Sequence, residues 1–233
     1  MGNKSHFFRQ SSGGGIGSPF LNFRFEESIT DDNTVIDNIG GLNATLIGNK
    51  TVRENTGVIE RGYKFDGSTA VELQQMTLQY PFCVKMWVNN TDASVTSIFS
   101  GFDNIYKGFD FTFTGNVVYI QFGNGGTPNR NNRKSYQTLN FTNDYEVRQF
   151  VVVFKNDFDF DLYIDGLKYT NSYAITGGAT TVDLDNIIFN IGYAGGQYNN
   201  GNTMDEITMF DQELTPEEIA EIYNKESNGI RVF

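Results

Sequence analysis

The stretch Thr203-Met204-Asp205-Glu206-Ile207-Thr208-Met209-Phe210-Asp211-Gln212-Glu213-Leu214-Thr215-Pro216-Glu217-Glu218-Ile219 decides the fold class. Ile207 and Met209 alternate with Glu206 and Thr208, the period of a strand with one buried face. Thr215 then suits a helix N-cap, Pro216 the first helical position, and Glu218 the far end of a capping box. Ile219, Ile222 and Tyr223 give that helix an apolar stripe. A strand therefore hands over to a short helix at the end of the chain.

Upstream, short strands recur with turn signals between them. Leu21 to Glu26 alternates. Phe109, Phe111 and Phe113 alternate with Asp110, Thr112 and Thr114, and Gly115-Asn116 is a two-residue hairpin turn into Val117 to Phe122. Phe150 to Phe154 reads as a buried strand. Asp157 to Ile164 alternates again, and Asp165-Gly166 turns the chain into Leu167-Lys168-Tyr169. Ile187 to Ile191 is a further core strand. No break in composition divides residues 20 to 233, so they form one domain behind an arm, residues 1–19. The expected architecture is all-β, an antiparallel sandwich or jelly roll with one short C-terminal helix. Its expected core includes Phe65, Val84, Met86, Phe150, Val152, Phe154, Ile164, Ile188 and Ile207.

Composition narrows the function. Among 233 residues are 21 Phe and 12 Tyr, an aromatic supply suited to β packing. The formal net charge of -11 repels phosphate backbones, which argues against nucleic acid as a partner. No apolar run is long enough to insert across a bilayer. Cys83 is the one cysteine, so no internal disulfide framework exists. With His6 the one histidine, a Ser-His-Asp or Cys-His centre would depend on the terminal segment, and a histidine-rich zinc site within one chain is excluded. No apolar secretory core follows Met1, and His6 stands where myristoylation after Gly2 would need Ser or Thr.

Five blocks, in order, resemble the laminin-G-like group of concanavalin-A-like jelly rolls. Phe25-Glu26-Glu27, followed by Ile36-Asp37-Asn38-Ile39-Gly40-Gly41-Leu42-Asn43-Ala44-Thr45-Leu46, is similar to the opening strand and its loop. Tyr63-Lys64-Phe65-Asp66-Gly67-Ser68 with Val71-Glu72-Leu73 resembles the Phe-Asp-Gly hairpin entry. Phe82-Cys83-Val84-Lys85-Met86-Trp87-Val88 resembles the Phe-Thr-Val-Ser-x-Trp-Val strand. Phe150 to Gly166 resembles the strand and hairpin ending in Tyr-x-Asp-Gly, and the closing stretch is the fifth block. Two departures mark a distant member: Arg148-Gln149 stands where a Trp is usual, and Asp211-Gln212-Glu213 where Asn-Arg-Ala is usual.

The resemblance implies the fold, an all-β two-sheet antiparallel jelly-roll sandwich with one short C-terminal helix, and it implies recognition or display rather than a particular ligand. It implies a structural calcium held by the Asp205 side chain together with a main-chain carbonyl near Glu26, an oxygen set that suits this cation; the alternative is an Asp205 that hydrogen-bonds the neighbouring loop. Enzymes sharing the sandwich cleave glycans with a Glu-x-Asp-x-x-Glu carboxylate pair, and that signature is absent. Glu26-Glu27 and Asp205-Glu206 are expected to point their neighbouring carboxylates to opposite strand faces, so no catalysis is expected. Asp157, Asp159 and Asp161 lack the Gly and Glu of an EF-hand and read as one solvated sheet face.

Two loops carry sugar-compatible chemistry, in which aromatic faces stack on rings and amides bond hydroxyls. One holds Arg130, Arg133 and Tyr136, a basic patch in an acidic chain; the other holds Tyr198 and Asn199. Both also read as ordinary polar turns. Phe7, Phe8 and Arg9 precede a Gly/Ser hinge and read either as a partner anchor or as a free terminus. The leading expectation is a bacteriophage virion decoration or fibre protein. Its arm would bind other virion proteins, and its glycan-adhesive head would face a host-surface glycan. The alternative is a bacterial cell-surface or extracellular carbohydrate-binding module. Homo-oligomerisation is left open.

Overall fold

The computed structural model describes residues 16–26, 33–48, 53–54, 57–89, 95–102, 105–139, 146–194, 197–198 and 200–233. In chain order the strands are β1 (Pro19–Phe23), β2 (Thr34–Val35), β3 (Ala44–Gly48), β4 (Arg53–Glu54), β5 (Gly62–Asp66), β6 (Thr69–Glu72) and β7 (Phe82–Asn89). Then come β8 (Val95–Phe102), β9 (Tyr106–Thr114), β10 (Val117–Gly126), β11 (Arg133–Thr138), β12 (Val147–Asn156) and β13 (Asp159–Ile164). The last are β14 (Leu167–Lys168), β15 (Tyr173–Gly177), β16 (Asn190–Ile191), β17 (Tyr193–Ala194), β18 (Gln197–Tyr198) and β19 (Asn200–Phe210), followed by helix α1 (Pro216–Glu226).

These strands form two antiparallel sheets and a small hairpin. A back sheet of eight strands runs β14-β13-β12-β7-β19-β5-β4, with β1 also bonded to β19. A front sheet of nine runs β15-β11-β10-β9-β8-β16-β6-β3-β2, and among the described residues β17 pairs with β18. The closing stretch therefore lies near the centre of the back sheet, between β7 and β5.

The alternating phenylalanines make the core. Phe150, Val152 and Phe154 stand opposite Met86, Val84 and Phe82 on the back sheet. Phe109, Phe111 and Phe113 stand opposite Phe122, Ile120 and Val118 on the front sheet. The two sets meet between the sheets, with ring centroids 4.5 Å apart for Phe109–Phe154 and 5.2 Å for Phe113–Phe150. Each such aromatic pair adds about 0.5–1.5 kcal/mol beyond simple burial.

The back sheet is covered on its other side too. Cys83, Val151, Val153, Tyr163 and Phe210 pack there against Leu214, Ile219 and Ile222. This explains why β12 is apolar without alternation, as a strand buried on both faces must be. Helix α1 starts where the sequence placed it. The Thr215 hydroxyl accepts from the Glu218 N–H, the Glu218 carboxylate accepts from the Thr215 N–H, and Pro216 opens the first turn. Tyr223 stacks on Trp87 with the rings 19° from parallel.

Three expectations about the strands are corrected. Ile188 is 45% exposed, whereas Ile187 and Phe189 enter the core. Ile187 forms a β-bridge with Met76, and this fixes the odd-numbered residues inward. Glu206 and Thr208 are not on a solvated face: both are at most 1% exposed. The stretch has two buried faces, because the chain beyond Phe210 folds back over β19. The Asp157–Ile164 alternation is shorter than expected, since β13 begins at Asp159 and Phe158 is a turn residue with φ of 62°. Asp161 does face outward, paired with Lys155 at 2.9 Å and Lys168 at 2.8 Å.

Candidate functional site

The antiparallel register places a polar row across the front sheet, on the side away from the phenylalanines. Thr176 stands opposite Ser135, Ser135 opposite Gln121, Gln121 opposite Asp110, Asp110 opposite Ser100, and Ser100 opposite Asn190. These residues share a face because side chains directly opposite in a ladder point the same way. The row is hydrogen-bonded along its length. The Ser135 hydroxyl donates to Gln121 Oε1 at 2.8 Å, and Gln121 Nε2 donates to Asp110 Oδ2 at 2.6 Å. The hydroxyls of Ser97, at 3.0 Å, and Thr112 also donate to Asp110.

Asp110 is 2% exposed, and burial raises its pKa above the ordinary value, partly offset by the hydrogen bonds from Thr112, Ser100, Ser97 and Gln121. Asn190 Oδ1, at the far end of the row, is buried and has no hydrogen-bond partner. Aromatic surface borders the row. Tyr119 stands between Thr112 and Gln137 on the same face and is half-buried. The Arg133 guanidinium lies over the Tyr106 ring, 5.3 Å from its centroid, a cation–π stack that holds both side chains in place.

The expected loop residues are only partly used. Arg133 is on this face, and Arg130 is exposed in the turn beside it. Tyr136 is not available to stack on a sugar. It is 9% exposed and points into the core, with its ring 5.1 Å from Phe160 and 5.8 Å from Phe122. It precedes a residue of the polar face by one position along β11, hence the reversal. Tyr198 lies on β18 opposite Tyr193, and Asn199 is outside the described residues, as are Phe7, Phe8 and Arg9.

The structure also separates the two loops. Gly126 pairs with Tyr106, so the Arg130 turn is at the Phe102 end of β8. The Gly192 N–H bonds the Ile98 carbonyl at 3.1 Å, and the chain continues from there toward the Val95 end. Those ends are roughly 20 Å apart at about 3.3 Å per strand residue. The two loops do not build one site. Asp110, Gln121, Ser135, Asn190 and Tyr119 were missed because the sequence shows them only as the polar half of an alternation.

A second constellation lies where the opening and closing strands meet. Carboxylate oxygens of Glu26, Asp205 and Glu206 all lie within 4.8 Å of one another. Asp205 and Glu206 were expected on opposite faces. Glu206 instead adopts φ of 48° at a bulge in β19, which turns both carboxylates to one side. Glu26 contributes its side chain, where only a nearby carbonyl was expected. Arg231 donates to Glu26 at 2.7 Å and to Glu206 at 2.9 Å. Asp205 accepts the N–H groups of Ile59 at 3.1 Å and Glu206 at 2.8 Å.

Burial, then the Glu206 charge, pushes Asp205 up to about 8, against the lowering effect of those two N–H groups. Burial also raises Glu206 and Glu26. When ionised, the three carboxylates outnumber the Arg231 guanidinium beside them, and all the donors are hard oxygens. That chemistry fits a cation such as calcium, with Asp205, Glu206 and Glu26 holding it.

The profile of the concanavalin A-like lectin/glucanases superfamily matches residues 65–220. Comparison with curated proteins gives no significant match. Among solved structures, domain 4 of AbnA, a GH43 extracellular arabinanase from Geobacillus stearothermophilus solved with arabinotriose, superposes with a TM-score of 0.63 at 16% identity. The match covers 90% of this chain and 100% of that one. The botulinum neurotoxin type G receptor binding domain superposes with a TM-score of 0.60 at 16% identity, over 88% of this chain and 51% of that one. The binding domain of botulinum neurotoxin DC, in complex with SialylT, gives 0.60 at 14%, over 90% and 52%. This chain thus spans about half the length of the toxin domains, and at these identities the likeness is one of fold. With the matched profile spanning β5 to α1 over the same two-sheet architecture, the chain belongs to the concanavalin A-like lectin/glucanase superfamily.

Proposed function

We propose that this protein is a non-catalytic carbohydrate-binding domain that reads a glycan on the polar face of its front sheet. The half-buried Tyr119 ring and the Arg133–Tyr106 stack carry the reading. The row Ser135-Gln121-Asp110 is itself buried, at 2%, 8% and 2% exposed, and forms a fixed polar floor beneath them. The groups a sugar would meet are therefore a flat ring, a guanidinium and the half-buried Gln137 amide. Structural relatives solved with arabinotriose and SialylT support a glycan as the ligand class. Calcium at Asp205, Glu206 and Glu26 would serve stability, since the cluster adjoins helix α1 and the back sheet rather than the polar face.

The chain ends support a display role. Ile16, the first described residue, packs with Val232 and Phe233 against the outer side of the back sheet. The polar row is on the outer side of the opposite sheet. An arm held by a carrier through Phe7, Phe8 and Arg9 would therefore present the polar face outward. The carrier proposed is a phage particle, where the arm would seat among other virion proteins; the alternative is a bacterial cell surface.

The test is a calorimetric titration of neutral and acidic oligosaccharides. Tyr119→Ala is expected to weaken binding about tenfold, the scale of one lost ring contact, with the melting temperature unchanged. Absence of binding across the panel, or full affinity in Tyr119→Ala, overturns the reading.

A further inference from the structure

Five strands of the two sheets have a neighbour on one side only among the described strands, and they are unequal. β1, bonded to β19, opens with Pro19 and is capped by the loop after β2, where the Asn22 N–H donates to Asp37 Oδ1 and the Asn22 carbonyl accepts from the Asn38 N–H, both at 2.9 Å. β14, β4 and β2 are two-residue strands, whereas β15 is a five-residue strand, Tyr173–Gly177, with only β11 beside it among the described strands. Exposed edges are normally blunted by charge, proline or extreme shortness, because unpaired backbone groups invite another strand. β15 has none of these. The chain from Tyr169 through Val182 contains no Asp, Glu, Lys, Arg or His, although charged residues make up 19% of the protein.

Register shows which backbone groups are open. Leu139 N–H donates to the Ser172 carbonyl, in line with the β11–β15 pairing Gln137↔Ala174 and Ser135↔Thr176. Bonded positions alternate along an antiparallel strand. Ser172, Ala174 and Thr176 therefore face β11 with their backbone groups, and Tyr173 and Ile175 turn theirs to the open side. The side chains add to this. Ile175 stands opposite the core residue Tyr136, so it is on the core side of the sheet, yet it is 57% exposed. Next to it Tyr173 packs on Phe160 at 5.4 Å and Tyr169 at 5.5 Å. Among the described residues, the space between the sheets is thus open at this edge, with an apolar lip.

We infer that β15 is a self-association edge, where a second copy of this chain adds its own β15 antiparallel across a two-fold axis at Ile175. Ile175 is the central residue of the strand, so the pairing is self-complementary: Ile175 meets Ile175, and Tyr173 meets Gly177 in both directions. Such pairing makes about six hydrogen bonds by antiparallel alternation. It joins the two front sheets into one and closes each open core edge with the other copy's Ile175. Charge selects the same occupant. Two copies with net charge -11 repel over most of their surface, and the Tyr169–Val182 region is where they approach without like charges meeting. A C2 contact of one patch with itself also closes, which prevents open-ended growth.

The experiment uses the full chain. Sedimentation equilibrium is expected to give a dimer that Ile175→Lys converts to monomer, with the melting temperature of each protomer preserved. Ile175→Cys is expected to form an intermolecular disulfide on mild oxidation, because bonded antiparallel residues lie about 5.5 Å apart at Cα, within disulfide reach. Cys83 is buried and does not compete. Leu167→Cys, 74% exposed on the short edge of the back sheet, is the control that stays monomeric. A wild-type monomer throughout the concentration range overturns the inference. So does a dimer that survives Ile175→Lys, or cross-linking of Leu167→Cys in place of Ile175→Cys.

Discussion

Lys85 and Glu226 form an ion pair whose side chains are both 0% exposed, between the outer side of the back sheet and the underside of helix α1. Glu226 also accepts from Trp87 Nε1 at 2.6 Å and Gln149 Nε2 at 3.2 Å, so one carboxylate ties the helix to two strands. Glu226→Ala leaves a buried ammonium unpaired and is expected to cost about 3–5 kcal/mol. Glu226→Gln combined with Lys85→Met is expected to recover most of that loss. It removes both charges, keeps an acceptor for Trp87, and offers an amide donor to Gln149 Oε1, which has no partner. Urea denaturation of the three variants checks this; a double variant as unstable as Glu226→Ala contradicts it.

The raised pKa of Asp205 predicts a pH dependence. Its folded value is about 8 against an ordinary 3.8, so between those values the folded chain holds a proton that the unfolded chain has released. Stability is then greatest below about 4 for this group and falls as pH rises toward about 8. In chelator, denaturation midpoints should fall across that window, and Asp205→Asn should flatten the fall. An unchanged slope in the variant would show that other groups cause it.

Calcium tests the same cluster from the other side. A cation that binds only the folded chain stabilises by about 2.7 kcal/mol at a hundredfold excess over its Kd. Calcium should therefore raise the melting temperature near neutral pH, chelator should reverse the rise, and Asp205→Asn should abolish it. No response in the wild type removes the proposed metal.

Tyr136 and Tyr119 should part company on mutation. Tyr136→Ala opens a hole among Phe122, Phe160 and Tyr173 and is expected to cost about 3–5 kcal/mol. Tyr119→Ala should leave stability nearly unchanged and weaken glycan binding. Melting curves and titrations on both variants separate the roles, and the reverse pattern would place the binding surface elsewhere.

A chain beginning at Ile16 tests the arm. It should melt at the wild-type temperature, since Ile16 and β1 retain their packing, but, under the proposed display role, fail to join a carrier particle. Normal incorporation would remove Phe7, Phe8 and Arg9 from any anchoring role.

Sequence alone determined the local grammar. Alternation in Phe109–Thr114 and the Gly115-Asn116 turn specify a hairpin, and Thr215-Pro216-x-Glu218 specifies a helix start, because these signals are satisfied within a few residues. Their order along the chain was enough for an all-β sandwich or jelly roll, and the five blocks resembling the laminin-G-like group narrowed it to the jelly roll. Tertiary structure decided the phase and the neighbours. Ile188 lost its place in the core to Ile187 and Phe189 through a bridge to Met76, more than a hundred positions away. Asp205 and Glu206 came to share one cluster with Glu26 through a single residue of positive φ at a bulge. The polar row from Ser135 to Asn190 draws one residue from each of several strands, so no local pattern could reveal it; cross-strand register brings those side chains together.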